Sequence, residues 1–206
     1  DGELPEGLLE EWDGPHKPCF VVRSTVKPHA LFELPIGRRF CWPEFLSERT
    51  AWQDAEHPDK IVWGGDDISV TRNVAEILLG RPHPAPAELM IVSLEAAALA
   101  KLAINTLYVM KLLTLNAIYD AAGERAYEQV CRVIEKDQRI TLSHHDIWQD
   151  GYRGAGGKCL PKDIRLLREI ISNDTTAHLL QTAEMMNERL LQETGYYKKR
   201  GEHNAS

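Results

Sequence analysis

A short glycine-rich stretch that leads through a cysteine into a helix pattern is the part of this sequence best suited to chemistry. Residues 153–163 read Arg-Gly-Ala-Gly-Gly-Lys-Cys-Leu-Pro-Lys-Asp. Glycine has no Cβ and tolerates positive φ, so backbone N–H groups in this stretch could close on a ligand. Pro161 suits the first turn of a helix, because its missing N–H is not needed there, and the spacing predicts a helix to Ile171. Cys159 would then lie at a helix N-terminus, where partial positive charge favours the nucleophilic thiolate.

The same cysteine also has a simpler interpretation. Most cysteines in proteins are unreactive and pack as small hydrophobic side chains, so Cys159 could merely fill space beneath a glycine turn. A redox role has less support, because no second cysteine that could resolve an oxidised thiol lies near it in the sequence. The local chemistry alone leaves a catalytic and a structural cysteine both open.

Lys101 and Asn105 form a second candidate pair. They lie four residues apart in a long apolar stretch, so on a helix they project from the same face one turn apart. An ammonium and an amide that point to one place can hydrogen-bond an oxyanion. A lysine whose stem covers apolar surface at a helix edge, beside an unrelated asparagine, explains the same pattern.

Two regions of different character must position these residues. In the first, strands alternate with a helix, which predicts an α/β fold with a parallel sheet covered on both faces. Its predicted strands span residues 19–26, 39–42, 60–63 and 89–92, and its helix spans residues 68–79. In the second, helices are predicted at residues 93–122, 124–135 and 176–193. We therefore predict two domains, residues 1–88 and residues 89–206.

The helix predicted at residues 93–122 is apolar around most of its circumference. Such a helix is buried on several sides, either within a bundle or against a second subunit, and we expect both. The sequence therefore predicts a homodimer that forms through this helix.

Composition excludes several other classes of protein. The net charge of −7 is spread without long runs, so no nucleic-acid surface or anionic-membrane surface is expected. The four cysteines form no C-x-x-C pair, and His144 and His145 lack a third ligand at useful spacing, so we predict no metal site. Cys19, Cys41 and Cys131 are predicted to be core residues. With no uninterrupted apolar span and no signal-peptide pattern, the sequence predicts a cytoplasmic protein.

Several motifs, in the same order along the chain, resemble the UDP-glucose/GDP-mannose dehydrogenase family. Members of this family use NAD to oxidise the C6 alcohol of a nucleotide sugar to a carboxylate. Residues 156–163 resemble the family's catalytic loop, and the Lys-x-x-x-Asn pattern of Lys101 and Asn105 resembles its central-helix motif. The remaining matches are Ser-Thr-Val at residues 24–26, Pro-Glu-Phe-Leu-Ser-Glu at residues 43–48 and His-Pro-Asp-Lys-Ile-Val at residues 57–62.

The resemblance implies a fold and a role for each matching residue. The fold would be a partial Rossmann-like parallel sheet followed by an all-α central dimerisation domain with one long buried helix. The implied catalytic residues are Cys159, Lys101, Asn105, Asp163, Glu48 and Thr25. The implied substrate contacts are Glu44, Gly156, Gly157 and Arg139, the last from a neighbouring subunit, and the implied cofactor contacts are Lys162 and Thr25. The thiolate would attack the C6 aldehyde, and the thioester formed by a second oxidation would be hydrolysed to the uronic acid.

The sequence also departs from the family pattern. No Gly-x-Gly-x-x-Gly turn that could hold the NAD pyrophosphate at a helix N-terminus is present. Ala155 replaces the phenylalanine or tyrosine that is common between the first two glycines of the loop. Two functions therefore remain open. One is a truncated nucleotide-sugar 6-dehydrogenase, whose NAD-binding half a second chain could supply; the other is a non-catalytic dimerisation or nucleotide-sugar-binding remnant.

Overall fold

The computed structural model describes residues 2–4, 18–47, 50–80, 88–140 and 146–198. The chain divides into two compact units, Asp1–Leu102 and Ala103–Ser206. The elements of the first unit are β1 (Phe20–Val22), α1 (Pro28–Leu31), β2 (Arg39–Cys41), α2 (Ala51–Glu56), β3 (Lys60–Gly65), α3 (Ile68–Leu79), β4 (Glu88–Ser93) and the start of α4 (Leu94–Ala122). The second unit holds the rest of α4, α5 (Glu124–Ile134), β5 (Trp148–Gln149), β6 (Tyr152–Arg153), α6 (Cys159–Ile170) and α7 (Asp174–Glu193).

The first unit contains a four-stranded sheet in the order β1-β2-β3-β4. The β1/β2 and β3/β4 pairs are parallel, as predicted, while β2 and β3 pair antiparallel. The carboxyl ends of β1 and β2 and the amino end of β3 therefore meet at one edge of the sheet. The predicted domain boundary at residues 88 and 89 stays a prediction; in the structure β4 pairs with β3 along its whole length, and the division between the units falls inside α4.

Successive side chains of β3 point to opposite faces of the sheet, and both faces are covered. Ile61 and Trp63 belong to an apolar cluster with Ala75 of α3, while Val62 belongs to another with Leu94 of α4. The sequence predicted that β3 ends before Gly64, but the strand continues through Gly65. A Cβ at Gly64 would lie 2.6 Å from the Cβ of Ala97, so the missing side chain allows α4 to lie close to the sheet.

The long helices follow the predictions closely, because their ends carry strong local signals. Asp67 caps α3 by accepting a hydrogen bond from the N–H of Val70 at 2.8 Å, and α3 ends before Gly80. Ser93 accepts a hydrogen bond from Ala96 at the start of α4, and Gly123, with φ of 73°, follows its end.

By length and composition α4 is the one helix among the described residues that could cross a membrane. However, 44% of its most apolar window is buried inside the protein, and it buries the polar side chains of Asn105, Thr106 and Asn116. Buried core helices have these properties as well. The burial agrees with the sequence prediction of a helix covered on several sides.

The second unit has an apolar core between α4, α5, α6 and α7. Val109, Leu112, Leu113 and Leu115 of α4 pack there with Ile164 of α6 and with Leu180 and Ala183 of α7. The hairpin of β5 and β6 was not predicted. Its turn, Asp150-Gly151, has positive φ at both residues, and the Asp-Gly dipeptide is the sequence signal that could have found it.

Candidate active site

Cys159 is the first residue of α6, and its side chain is exposed. The preceding residue, Lys158, occupies the N-cap position without a capping side-chain hydrogen bond. The first turn of α6 contains no acidic residue. The sulfur therefore lies at the positive end of a helix and within reach of solvent, as the position of Pro161 predicted.

Asp163 follows Cys159 by one helical turn and is fully buried. One of its carboxylate oxygens accepts a hydrogen bond of 2.6 Å from the side-chain amide of Asn105, which is itself buried. The other oxygen accepts a hydrogen bond of 2.6 Å from the ammonium of Lys162. The structure thus places Asn105, Asp163 and Lys162 in one network, with Cys159 on the same side of α6 as Asp163.

The glycine turn, residues 154–157, precedes Cys159 and is hydrogen-bonded to α7 and to the residues that follow α7. The N–H of Ala155 donates to the side-chain oxygen of Asn187 at 2.6 Å, and the amide of Asn187 donates to the carbonyl of Ala155 at 2.9 Å. The N–H of Gly157 donates to the hydroxyl of Tyr196 at 2.9 Å. These two N–H groups, which the sequence suggested could face a ligand, are engaged inside the protein.

Asn187 and Tyr196 were missed in the sequence, although one signal was present. The buried face of α7 carries Leu180, Ala183 and Leu191, and Asn187 lies on the same face. A buried polar residue on an apolar face requires hydrogen-bond partners. Its partner could not be identified from spacing, because Ala155 lies 32 residues earlier in the chain.

Arg153, at the start of the turn, connects it to α4. Its guanidinium donates to the side-chain oxygen of Asn116 at 2.6 Å and pairs with Asp120 at 2.7 Å, and it lies 4.9 Å from the ring centre of Tyr119. The backbone N–H of Arg153 donates to the hydroxyl of Thr194 at 2.9 Å. The turn is therefore held from α4 and from the end of α7.

We expect the Gly156→Ala variant to lose about 2 kcal/mol of unfolding free energy. A Cβ at this position would lie 2.7 Å from the hydroxyl of Tyr152 and 2.8 Å from a ring carbon of Tyr196, so the turn or both rings must shift. Urea denaturation followed by circular dichroism measures the loss. The control is Gly195→Ala, where an added Cβ meets nothing within 4 Å and only the positive φ of 82° opposes it. Equal stability of Gly156→Ala and the wild type would contradict the packing described here.

A second group of predicted residues lies in the first unit, at the sheet edge where β1 and β2 end. Glu44 pairs with Arg23 at 2.5 Å, and Thr25, three residues after β1, is half-buried. The ring of Phe45 lies 4.9 Å from the ammonium of Lys60 and 5.6 Å from that of Lys101. The strand directions explain why these residues lie close together, because the carboxyl ends of β1 and β2 and the amino end of β3 lie at the same edge of the sheet.

The remaining predicted residues lie elsewhere. Arg139 is exposed and donates two hydrogen bonds to the carboxylate of Asp137, which lowers the pKa of that carboxyl group. Its predicted reach toward substrate stays a prediction. Glu48, His144 and His145 lie outside the described residues.

Two of the three predicted core cysteines are confirmed. Cys41 and Cys131 are buried, and burial raises the pKa of the Cys41 thiol to about 12. Cys19 was predicted to be in the core and is exposed, because β1 begins only at the following residue.

The residues around Cys159 are similar to those of a known protein family. Residues 95–189 match the model of the UDP-glucose/GDP-mannose dehydrogenase family, central domain. This part of the chain is similar to the central domain of that family. The family consists of oxidoreductases that act on nucleotide sugars, and its members use NAD. The matched range includes the Lys101/Asn105 pair, the glycine turn, Cys159 and Asp163.

Individual proteins are also similar to this chain. The UDP-glucose 6-dehydrogenase of Gallus gallus is 32% identical over 127 residues, which make up 59% of this chain and 25% of that protein. The UDP-glucose 6-dehydrogenase of Rickettsia felis is 28% identical over 174 residues, 77% of this chain and 37% of that protein. A UDP-glucose dehydrogenase structure from Pyrobaculum islandicum shares the fold over 86% of this chain and 41% of that one, with a TM-score of 0.64 and 24% identity. This chain spans less than half the length of each of these relatives.

Proposed function

We propose that this chain provides the nucleophile and the nucleotide-sugar contacts of a nucleotide-sugar 6-dehydrogenase, with a substrate of the UDP-glucose or GDP-mannose type. The observation that supports this most directly is the arrangement on α6. An exposed cysteine begins the helix, and a buried carboxylate one turn later binds the amide of Asn105 and the ammonium of Lys162. A structural cysteine needs none of these neighbours.

The proposed chemistry is covalent capture of an aldehyde. The sulfur of Cys159 forms a bond to C6, and the electron pair of the carbonyl moves to its oxygen, which must be stabilised as it becomes negative. The amide nitrogen of Asn105 has a second N–H beside the one given to Asp163, and Lys101 lies one turn before Asn105 on α4. We propose that the Asn105 amide and the Lys101 ammonium both stabilise this negative oxygen.

Hydrolysis of the thioester completes the proposed reaction. A water oxygen bonds to the thioester carbon, its proton passes to a carboxylate, and the thiolate of Cys159 leaves. Asp163, Glu48 and Thr25 are the groups we assign to positioning or deprotonating this water. We propose that the substrate contacts Glu44, Gly156 and the Arg139 of a neighbouring subunit. Gly157 would contact it through its Cα or carbonyl group, because its N–H donates to Tyr196.

The residues present do not make up a complete NAD site. NAD would supply the acceptor for the hydride that leaves at each oxidation of C6, but this sequence contains no glycine-rich turn of the kind that binds the pyrophosphate of a dinucleotide. Lys162 occupies a position that matches a cofactor contact of the family, and its ammonium forms an ion pair with Asp163. We propose that Thr25 and Lys162 touch the cofactor while its pyrophosphate is held by residues outside this sequence, and a second chain is one such source.

The proposal includes a cytoplasmic homodimer that forms through α4. Leu107, in the middle of this helix, is 67% exposed although its neighbours on other faces are buried. We assign the apolar surface around this residue to the contact with the second subunit.

A second candidate function is a binding remnant that has kept the central domain and lost catalysis. The absent pyrophosphate-binding turn is the observation that favours it. Calorimetric titration with UDP-glucose, GDP-mannose and NAD⁺, with and without a second chain that supplies the missing half of the NAD site, separates the two candidates. Binding of a nucleotide sugar without any binding of NAD⁺ would support the remnant.

The test of the enzyme is the Cys159→Ser variant. Mixtures of the chain, a second chain that supplies the missing half of the NAD site, UDP-glucose or GDP-mannose, and NAD⁺ are followed by absorbance of the reduced cofactor and by chromatography of the uronate. We expect the variant to make uronate at least about 100-fold more slowly than the wild type, because serine is a far weaker nucleophile at neutral pH. Cys19→Ser, at the other exposed cysteine, is the matched control and should retain the wild-type rate. Unchanged uronate production by Cys159→Ser would refute the assignment.

A further inference from the structure

The glycine turn contains little that could fix its own shape. Gly154, Gly156 and Gly157 carry no side chains, and glycine loses more conformational freedom on ordering than any other residue. Between them, Ala155 has both of its backbone polar groups satisfied by the single side chain of Asn187. The conformation of the turn is therefore set largely from α7, not by its own residues.

The hydrogen bonds that hold the turn are shielded from water. Asn187 is 4% exposed, Ala155 is 1% exposed and Tyr196 is 7% exposed. Breaking such a bond leaves a buried donor or acceptor without a partner, which costs about 1–3 kcal/mol. The turn therefore resists opening at Ala155 and at Gly157, on both sides of Gly156.

We propose that Asn187 and Tyr196 are positioning residues for Cys159. The inference rests on the proposed function, in which the sulfur of Cys159 is the nucleophile. Gly157 is two residues before Cys159, so fixing its N–H on Tyr196 fixes the point at which the chain enters α6. A displacement of about 1 Å at a reacting atom is enough to cost about 100-fold in rate, so a turn of three glycines needs such support.

Two pairs of variants test this, each with a control on the same segment. Asn187→Ala removes both bonds to Ala155, while Asn173→Ala removes only the N-cap of α7, where Asn173 accepts a hydrogen bond from Thr176. Tyr196→Phe removes the hydroxyl that binds Gly157 but keeps the ring. Tyr197→Phe removes the neighbouring hydroxyl, which binds Glu188 on the surface.

The first measurement is amide hydrogen exchange in the turn. We expect exchange to accelerate at least about tenfold at Ala155 in Asn187→Ala and at Gly157 in Tyr196→Phe, because each N–H loses its acceptor. The two controls should leave both amides at the wild-type rate. Unchanged exchange in both test variants, or equal acceleration in the controls, would overturn the proposal.

The second measurement is alkylation by iodoacetamide, with the exposed Cys19 as an internal reference for each protein. We expect the ratio of the Cys159 rate to the Cys19 rate to fall about threefold or more in Asn187→Ala and to stay constant in Asn173→Ala. A ratio that does not fall, or that falls equally in the control, overturns the positioning role alone. If Cys159 reacts no faster than Cys19 in the wild type, the proposed nucleophile is lost, and the positioning role with it. Tyr196→Phe, which keeps the core intact, provides the same test if Asn187→Ala does not fold.

Discussion

Replacing Asp163 with alanine is expected to lower the free energy of unfolding by about 3 kcal/mol. The carboxylate is fully buried and binds the ammonium of Lys162 and the amide of Asn105. Without it, the amide of Asn105 is left buried and without this acceptor, and the ammonium loses its counter-charge. Asp163→Asn should cost only about 1 kcal/mol, because an amide of the same shape can rearrange with Asn105 to recover one hydrogen bond.

Urea denaturation followed by circular dichroism measures this loss. The matched control is Asp174→Ala, which removes an exposed carboxylate from the first turn of α7 and should cost well under 1 kcal/mol. A loss in Asp163→Ala no larger than that of the control would show that the network contributes little to the fold. The same variant should also fail to make uronate, since it removes a proposed proton acceptor.

Replacing Asp66 with alanine is expected to cost about 3–5 kcal/mol, the larger of the two effects. Its carboxylate binds the guanidinium of Arg39 with both oxygens at 3.0 Å, and Arg39 is only 6% exposed. The guanidinium also donates to the carbonyl oxygens of Phe32 and Leu34. Alanine would leave a buried positive charge without its counter-charge at the place where β2 and α1 are joined.

The pH dependence of stability gives this prediction a second readout. Burial by itself raises the pKa of Asp66, but hydrogen bonds from Arg39 and from the N–H of Gly37 outweigh it, so the pKa lies below its usual value. The stabilisation is therefore fully present above about pH 4, the pKa of an unfolded aspartate, and is lost as the pH falls through the lowered value.

Chemical denaturation between pH 7 and pH 2.5 should therefore show the gap between the wild type and Asp66→Ala closing only below about pH 4. The neighbouring Asp67→Ala variant, which removes the cap of α3, should cost about 1 kcal/mol. An Asp66→Ala variant as stable as Asp67→Ala would contradict the role given to this ion pair.

The helices were predictable from sequence because the residues that begin and end a helix are adjacent to it in the sequence. Gly80 and Gly123 follow α3 and α4, and each end was predicted to within one residue. The strands were less predictable. The apolar run at residues 19–26 suggested a long strand, but only Phe20–Val22 pair, because the partner strand β2 offers only three residues. Pairing depends on a neighbour that local periodicity does not reveal.

The residues proposed to do the chemistry could be predicted from the sequence, but the residues that hold the glycine turn in place could not. Cys159, Asp163 and Asn105 follow from motif and spacing, and the structure joins Asp163 to Asn105 across 58 residues. Asn187 and Tyr196 belong to no motif noted in the sequence. Their contacts with the glycine turn span 32 and 39 residues, and no local pattern specifies contacts of that range.

The close approach of Gly64 to Ala97 links two positions that are far apart in the sequence. A Cβ at Gly64 would also lie 2.8 Å from the carbonyl oxygen of Ser93, so a smaller residue at position 97 would not make room for a larger one at position 64. Enlarging either one alone would drive the amino end of α4 outward and draw the Lys101 ammonium away from the Phe45 ring. The position of the Lys101 ammonium therefore depends on the absence of a side chain at Gly64 in β3.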